Sequence, residues 1–306
     1  MKEITNKNHT LTLCIDTWGA QPTALINQKG ENLLWKGEAS YWNKHDPILF
    51  PTIGNCFGQQ IRVEGVPYPM PKHGFAQRMP WKVVEESLNA DGEGRLVLEL
   101  TDTEESRRHY PFSFCIQQRF DVRNDNTLCV TWCVKSDVTL PFMMGAHPAF
   151  TLPDFREEDE VHGYLCLDTP QIVSHRVLPD GFLHEEVETV CLEAWEEGGQ
   201  KVSSGYLLPL TNTTFTCDTL LDTRGLNQSV ILLDKERKPI LTLQHKMPVL
   251  ALWAPKNGCC PFVCIEPWCG CCDAPGYEGE FSKRPFVQKA VAGQEWSQSY
   301  HIKVHN

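Results

Sequence analysis

The chain has 306 residues, of which 41% are hydrophobic and 22% are charged, a composition typical of a globular protein rather than a disordered one. Its 39 acidic and 28 basic residues give a formal net charge of −11, and no cluster of basic residues stands out, so no nucleic-acid partner is expected. The longest apolar stretch, VTLPFMMGAHPAF, is interrupted by Pro, Gly and His and is too short to span a bilayer, which predicts no membrane segment.

Alternating apolar and polar residues predict β-strands along most of the chain. Apolar side chains at every second position are typical of strands with one buried face. A charged turn between two such runs predicts a hairpin, and Gly and Pro residues scattered throughout the chain are typical of turns. The predicted strands cover residues 10–16, 95–102, 127–136 and 299–306, and the hairpin covers 229–245.

Helical patterns are rare. Residues 184–199 combine Val187, Val190, Leu192 and Trp195 with acidic spacing, which predicts one short helix. No linker, fixed repeat or low-complexity tract divides the chain. We therefore predict a single all-β domain over residues 1–306, a large antiparallel β-sandwich of two packed sheets with few short helices.

The cysteines raise the question of a metal site. The N-terminal sequence MKEITNKNHT has no apolar segment of a secretion signal, so a cytoplasmic protein is expected, in which thiols act as small apolar residues. Six of the 14 cysteines lie within residues 259–272, but they lack the two separated C-x2–4-C pairs of structural zinc sites. Core or turn thiols are the favoured interpretation, and a zinc protein is the alternative.

One carboxylate and two histidines stand in apolar surroundings. Glu266 interrupts the otherwise apolar strand PFVCIEPW, where a carboxylate is unusual unless it is paired, functional or meets solvent at a strand end. His73 lies in MPKHGF and His147 in GAHPAF, and each could instead be a hydrogen-bonded core histidine. Together, histidine and glutamate can supply an acid and a base near neutral pH. No nucleophile elbow or phosphate-binding glycine loop is present in the sequence.

Four motifs in order, ILFPTIGN (48–55), MPKHGFAQRMPW (70–81), GAHPAF (145–150) and CIEPWCG (264–270), resemble those of the aldose 1-epimerases, and the LacX-like branch in particular. They extend over most of the chain. The resemblance implies a galactose mutarotase-like β-supersandwich that binds a monosaccharide in a groove, as a monomer or homodimer. It also implies that no metal or organic cofactor is used.

The resemblance further implies a role for each residue singled out above. Glu266 matches the general base that removes the proton of the anomeric hydroxyl, and His147 matches the general acid that protonates the ring oxygen. The ring opens, the C1–C2 bond turns, and reclosure produces the other anomer. His73 matches a histidine that hydrogen-bonds the sugar.

Two positions depart from the family pattern. An arginine commonly follows the glycine of the first motif, where this chain has Asn55, and the family's HGFAR is replaced by Gln77 with Arg78 one place later. If this segment is a strand, the shift turns the arginine to the opposite face. Asn55 and Gln77 can hydrogen-bond hydroxyl groups without charge, so the change argues against a sugar phosphate.

Other candidates are less strongly marked. Asp218 matches an acidic position of the LacX-like branch, and Trp268, Trp253 or Phe150 could stack on the sugar. The leading prediction is a mutarotase acting on a free hexose. The alternatives are a non-catalytic sugar-binding or sugar-sensing protein, and a glycoside hydrolase, although hydrolases generally use two carboxylates.

Overall fold

Antiparallel strands account for most of the regular structure in the computed structural model, which describes residues 1–178, 180–196 and 204–305. Numbered in chain order, the strands are β1 (Lys2–Thr5), β2 (Leu11–Asp16), β3 (Gln21–Asn27), β4 (Gln60–Val63), β5 (Val66–Pro69), β6 (Lys82–Leu88), β7 (Gly94–Thr101), β8 (Cys115–Val122), β9 (Thr127–Lys135), β10 (Leu140–Phe142), β11 (Met144–Gly145), β12 (Ala149–Thr151), β13 (Gly163–Leu167), β14 (Gln171–His175), β15 (Val187–Cys191), β16 (Glu193–Glu196), β17 (Ser204–Leu210), β18 (Leu220–Asp222), β19 (Ser229–Leu233), β20 (Pro239–His245), β21 (Val249–Trp253), β22 (Phe262–Cys269), β23 (Gln288–Ala290) and β24 (Glu295–Val304).

Helices are few and short. The α-helix α1 covers Glu104–Arg107, and the 3₁₀-helices cover Phe57–Gln59, Ala76–Arg78, Lys256–Gly258 and Phe281–Lys283. No helix in the described ranges is long and apolar enough to cross a membrane.

Two large sheets organise the strands. The larger has ten strands in the order β16-β17-β13-β19-β20-β24-β9-β8-β7-β6, and the other has seven, with β11-β22-β21-β18-β14-β15 in order and β12 also paired to β22. Smaller sheets are formed by β1-β2-β3, β4-β5 and β10-β23. Neighbouring strands of the two large sheets pair antiparallel, which confirms the predicted large antiparallel β-sandwich.

The period-two patterns form strands because they bury one row of apolar side chains. In β9, Leu128, Val130, Trp132 and Val134 are all buried, and Trp132 packs against Tyr300 of β24 at a ring-centroid distance of 5.4 Å. The predicted strands correspond to β2, β7, β9 and β24, and the predicted hairpin is the β19–β20 pair. Burial of alternate apolar side chains is the main favourable contribution to such a sheet.

The predicted helix over 184–199 is wrong. Residues 187–191 form β15, which pairs with β14, and residues 193–196 form β16, which pairs with β17; positions 197–199 lie outside the described residues. The valines and threonine of VETVC are β-branched, which favours a strand over a helix. Glu188 is exposed on β15, at the edge of its sheet, so the acidic spacing does not indicate a helical face.

The cysteines are present as thiols. All 14 lie within the described residues and none forms a disulfide. Of the six between 259 and 272, all but Cys259 are buried. This agrees with their interpretation as small apolar residues of the core.

Candidate functional site

Strand pairing in the seven-stranded sheet places His147 opposite Glu266. Strands β11 and β12 pair with the same edge of β22. Gly145 of β11 faces Trp268 of β22, and the same register continues in β12, where Ala149 faces Cys264. In that register the position facing Glu266 is His147, between the two short strands. Pro148 lacks an N–H and interrupts the ladder here. Nε2 of His147 lies 3.2 Å from Oε2 of Glu266.

Both members of this pair are buried. Glu266 is only 1% exposed, and burial raises its pKa well above the ordinary value, while burial lowers the pKa of His147 to about 3. Loss of hydration disfavours the charged form of each group, so both shifts have the same cause. Nδ1 of His147 has no hydrogen-bond partner among the described residues, and Oε2 of Glu266, although 3.2 Å from Nε2 of His147, forms no hydrogen bond with it. Buried polar atoms are normally paired, so the site retains hydrogen-bonding capacity for a ligand.

A second buried carboxylate supports the histidine. Oδ1 of Asp46 accepts a hydrogen bond from the backbone N–H of His147 at 3.2 Å, and Asp46 is 4% exposed. Burial raises the pKa of Asp46 to about 7. Asp46 was not predicted from the sequence, although it directly precedes the apolar run Pro47–Phe50 and so is, like Glu266, a carboxylate in apolar surroundings.

His73 is held in one orientation and one tautomer. Its Nδ1 accepts a hydrogen bond from the Gly54 N–H at 3.1 Å, and its own backbone N–H donates to the Gly54 carbonyl at 3.0 Å. Burial lowers the pKa of His73 well below its ordinary value, so the ring is neutral and carries its proton on Nε2. The ring centroids of His73 and His147 are 5.7 Å apart.

The turn that carries His73 requires a glycine at the next position. His73 has a φ of +63° and Gly74 a φ of +70°, both in the left-handed region. A Cβ at Gly74 would lie only 2.0 Å from the carbonyl oxygen of Phe50. Only a residue without a side chain fits this close approach.

The two histidines and Glu266 line one pocket of about 310 Å³, within the roughly 300–1,000 Å³ of small-molecule sites. Tryptophans form much of its apolar wall. The ring of Trp42 stacks on His147 at 4.8 Å and 26°, and Trp253 meets the same imidazole edge-on at 5.7 Å. Trp268 also lines the pocket, and its indole N–H donates to the carbonyl of Ala146 at 3.1 Å.

Asp218, Gln77 and Arg78 also line this pocket. Oδ1 of Asp218 accepts a hydrogen bond from the indole N–H of Trp253 at 2.9 Å. Gln77 and Arg78 belong to a 3₁₀-helix, so the expectation that a strand would turn them to opposite faces is wrong. Successive side chains of such a helix project about 120° apart, which allows both to reach one cavity.

Two predicted residues lie elsewhere. Asn55 is not among the residues that line the pocket; its side-chain amide donates to the carbonyl of Gly181, a lining residue, at 3.3 Å. The Asn55 side chain therefore contacts the wall of the pocket through Gly181. Phe150 is fully buried in β12 and does not line the pocket either.

Trp42, Lys44 and Lys72 are among the lining residues that were not predicted from the sequence. The ammonium group of Lys44 donates to Oε1 of Gln77. Burial lowers the pKa of Lys44 to about 8, and the nearby charges of Arg78 and Lys72 add to this effect. Lys72 directly precedes His73 within a quoted motif, whereas Trp42 and Lys44 lie in a segment, YWNKHDP, with no recognised pattern.

One group in the described residues has the composition of a metal site. Ligand atoms of His147, Cys264 and Glu266 all lie within 4.8 Å of one another. Burial raises the pKa of Cys264 well above its ordinary value, so this thiol keeps its proton, whereas metal ligation requires the thiolate. The arrangement fits proton transfer between His147, Glu266 and a ligand better than metal binding.

Known proteins resemble this chain over nearly its whole length. A sequence model of the family described as aldose 1-epimerase matches residues 2–303. The chromosomal LacX protein of Lactococcus lactis subsp. lactis is 26% identical over 312 residues, covering 98% of each chain. A galactose mutarotase related enzyme from Lactobacillus acidophilus is 25% identical with a TM-score of 0.83, covering 100% of this chain and 98% of its own. A galactose mutarotase-like protein from Lactobacillus casei, 23% identical, has the same fold with a TM-score of 0.84, covering 99% and 100%.

Proposed function

The chain belongs to the aldose 1-epimerase family, and on that premise we propose that it interconverts the α and β anomers of an aldose, with a free hexose as the simplest substrate. The observation that carries the proposal is the buried pair of His147 and Glu266, 3.2 Å apart in a pocket of sugar size. A protein that only binds sugar needs neither group.

The proposed reaction is a pair of proton transfers. Glu266 removes the proton from the anomeric hydroxyl, and the C1–O5 bond breaks as the C1 carbonyl forms. The electron pair of that bond goes to O5, which takes a proton from His147. Rotation about C1–C2 presents the other face of the aldehyde, and the reverse transfers close the ring. His73, with its proton fixed on Nε2, donates a hydrogen bond to a sugar oxygen.

Burial supports both roles. A carboxylate with a raised pKa is a stronger base once ionised, and an imidazolium with a lowered pKa is a stronger acid. The shifts reverse the usual order of the two pKa values, so the resting pair is a protonated Glu266 and a neutral His147, and the reactive state requires transfer of that proton to the imidazole. Each such transfer contributes about 10²- to 10⁴-fold in rate.

Polarimetry on freshly dissolved α-D-glucose and α-D-galactose tests the proposal, because an active enzyme accelerates the decay of optical rotation. We expect Glu266→Gln to lose about 10²- to 10⁴-fold in kcat, since the amide keeps the shape but cannot take the proton. Sugar affinity should stay within about tenfold by calorimetry. Glu236→Gln, at an exposed turn, is the matched control and should be fully active.

The histidines are tested in the same assay. His147→Asn should reduce turnover more than His73→Asn, because only His147 is assigned a proton transfer. If His73→Asn reduced turnover more than His147→Asn, His73 would be the general acid and His147 the residue that only binds the sugar. Undiminished turnover in Glu266→Gln would overturn the mechanism.

The second candidate is a non-catalytic sugar-binding protein on the same fold. It is favoured by Asn55 and Gln77, which stand where the family commonly has arginines. This candidate predicts that calorimetry detects binding of a monosaccharide while polarimetry shows no acceleration for any sugar that binds.

A further inference from the structure

Positive charge is concentrated in the pocket. Lys44, Lys72 and Arg78 all line it, and none of them forms an ion pair with a carboxylate within the part of the chain that the structure describes. The chain as a whole carries a net charge of −11, so this concentration runs against the average composition. Asp218 and Glu266 line the same pocket, but neither forms an ion pair with these cations, and burial raises the pKa of Glu266 well above its ordinary value, so positive charge prevails there.

The like charges are close enough to affect one another. The charges of Arg78 and Lys72 help to lower the pKa of Lys44, and those of Lys72 and Lys44 help to lower the pKa of His147. Like charges brought together disfavour their own charged forms. An anion bound between them removes that repulsion.

A buried amide next to the cations also lacks an acceptor. Gln77 is 7% exposed, and its Oε1 already accepts from the ammonium group of Lys44. That contact fixes the orientation of the amide, so that Nε2 faces other neighbours, and Nε2 has no hydrogen-bond partner among the described residues. Buried donors are normally satisfied, so this N–H₂ group is a site for a ligand oxygen.

We propose that the substrate is an aldose that carries an anionic oxygen group, a phosphate ester or a carboxylate, bound by Lys44, Lys72, Arg78 and Nε2 of Gln77. The inference rests on the proposed epimerase function and narrows its substrate class. It reverses the sequence argument against a sugar phosphate, because two lysines and a displaced arginine supply the positive charge that the family arginines would have supplied. Ammonium and guanidinium groups are the side chains that bind such oxyanions most strongly.

Anion binding also helps the acid–base pair. The two lysines depress the pKa of His147, and a bound anion offsets their charge. The imidazole then takes up the proton that it must donate to the ring oxygen more readily. Binding of an anionic substrate therefore favours the protonated form of His147 that the reaction requires.

The test compares three sugars. Exchange NMR spectroscopy on equilibrated anomers measures the enzyme-catalysed interconversion of glucose 6-phosphate, glucuronate and glucose. We expect kcat/KM for at least one anionic sugar to exceed that for glucose by about tenfold or more, since hydrogen bonds to charged groups have that effect. The phosphate and carboxylate arms identify which anion is preferred. Inorganic phosphate alone should compete with the preferred sugar.

Variants assign the preference to the cations. Lys44→Met and Arg78→Met should each lower the ratio of kcat/KM for the anionic sugar to that for glucose by about tenfold. The matched control is Lys29→Met, which removes one charge from an exposed turn outside the pocket and should leave the ratio unchanged. Thermal melting verifies that each variant is folded.

The outcomes separate the two proposals. Equal kcat/KM for all three sugars, or equal losses for all three in the variants, would overturn the anionic substrate while leaving the epimerase intact. If no sugar is interconverted, the epimerase proposal fails, and the anion site is then tested by calorimetric binding of the anionic sugar and of glucose. Tighter binding of an anionic sugar than of glucose, lost in Arg78→Met, then supports the anion site, and equal or absent binding overturns it.

Discussion

The buried carboxylate beneath His147 leads to a prediction about stability. Asp46 lies at 4% exposure with its Oδ1 bonded to the His147 backbone N–H, and burial raises its pKa from 3.8 to about 7. Between these two pH values the folded protein holds a proton that the unfolded chain has released. Stability therefore falls as the pH rises from about 4 to about 7, because the folded state binds more protons.

The size of the effect follows from the pKa change. A tenfold change in acidity corresponds to about 1.4 kcal/mol, so a rise from 3.8 to about 7 destabilises the folded state by about 4 kcal/mol above pH 7 and by almost nothing below pH 4. Asp46→Asn removes this penalty, because the amide never ionises while its oxygen can still accept the His147 N–H bond. The variant should match the natural protein at pH 4 and exceed it at pH 8.

Urea unfolding at the two pH values provides the measurement. The quantity of interest is the change between pH 4 and pH 8 in the difference between variant and natural protein, because buried groups that do not interact with Asp46 cancel from it. Asp137→Asn, at an exposed position, is the control and should show almost no change. A change below about 1 kcal/mol for Asp46→Asn would refute the assignment of a raised pKa to this residue.

Three further outcomes are expected. Gly74→Ala should lower the free energy of unfolding by about 3 kcal/mol or more in thermal melts, because its Cβ would meet the Phe50 carbonyl. Gly30→Ala, at a φ of +80° with open space around it, is the control and should cost about 1 kcal/mol. Trp42→Ala should expose the His147 ring and raise its pKa towards the ordinary value, as NMR titration of the ring protons will show; an unchanged titration would mean that other residues keep the ring buried. Dialysis against a zinc chelator should leave the interconversion rate unchanged, since both proton transfers use side chains; a loss that added Zn²⁺ restores would contradict this.

Much of the fold could be predicted from local pattern. Alternation identified β7, β9 and β24 because each buries a row of alternate apolar side chains, although in β9 most of the second row is buried as well. The four motifs identified the family. The helix prediction over 184–199 was wrong because edge strands bury few side chains, so buried and exposed residues do not alternate along them. Spacing alone could not distinguish a strand from a helix there.

The site was predictable in its residue types but not in its assembly. Glu266, His147 and His73 stood out because each is polar in apolar surroundings, and the structure brings all three into one pocket. Their mutual geometry depends on pairing between strands that are distant in sequence, which no local pattern encodes. Trp42 and Lys44 were missed for the same reason, since only the path of the loop brings them to the pocket. The catalytic roles remain predictions.

Strand β22 has neighbours along both edges, β21 on one side and β11 with β12 on the other. Amide hydrogens in such a strand exchange with solvent only when adjoining strands separate, so we expect those of β22 to be among the slowest in the protein. Lys44 and Lys72 lie in loops outside the strands of this sheet, and the amide hydrogens of these loops should exchange earlier. Substitutions that retune substrate choice are thus expected in the loops, where they leave the chemistry of β22 intact.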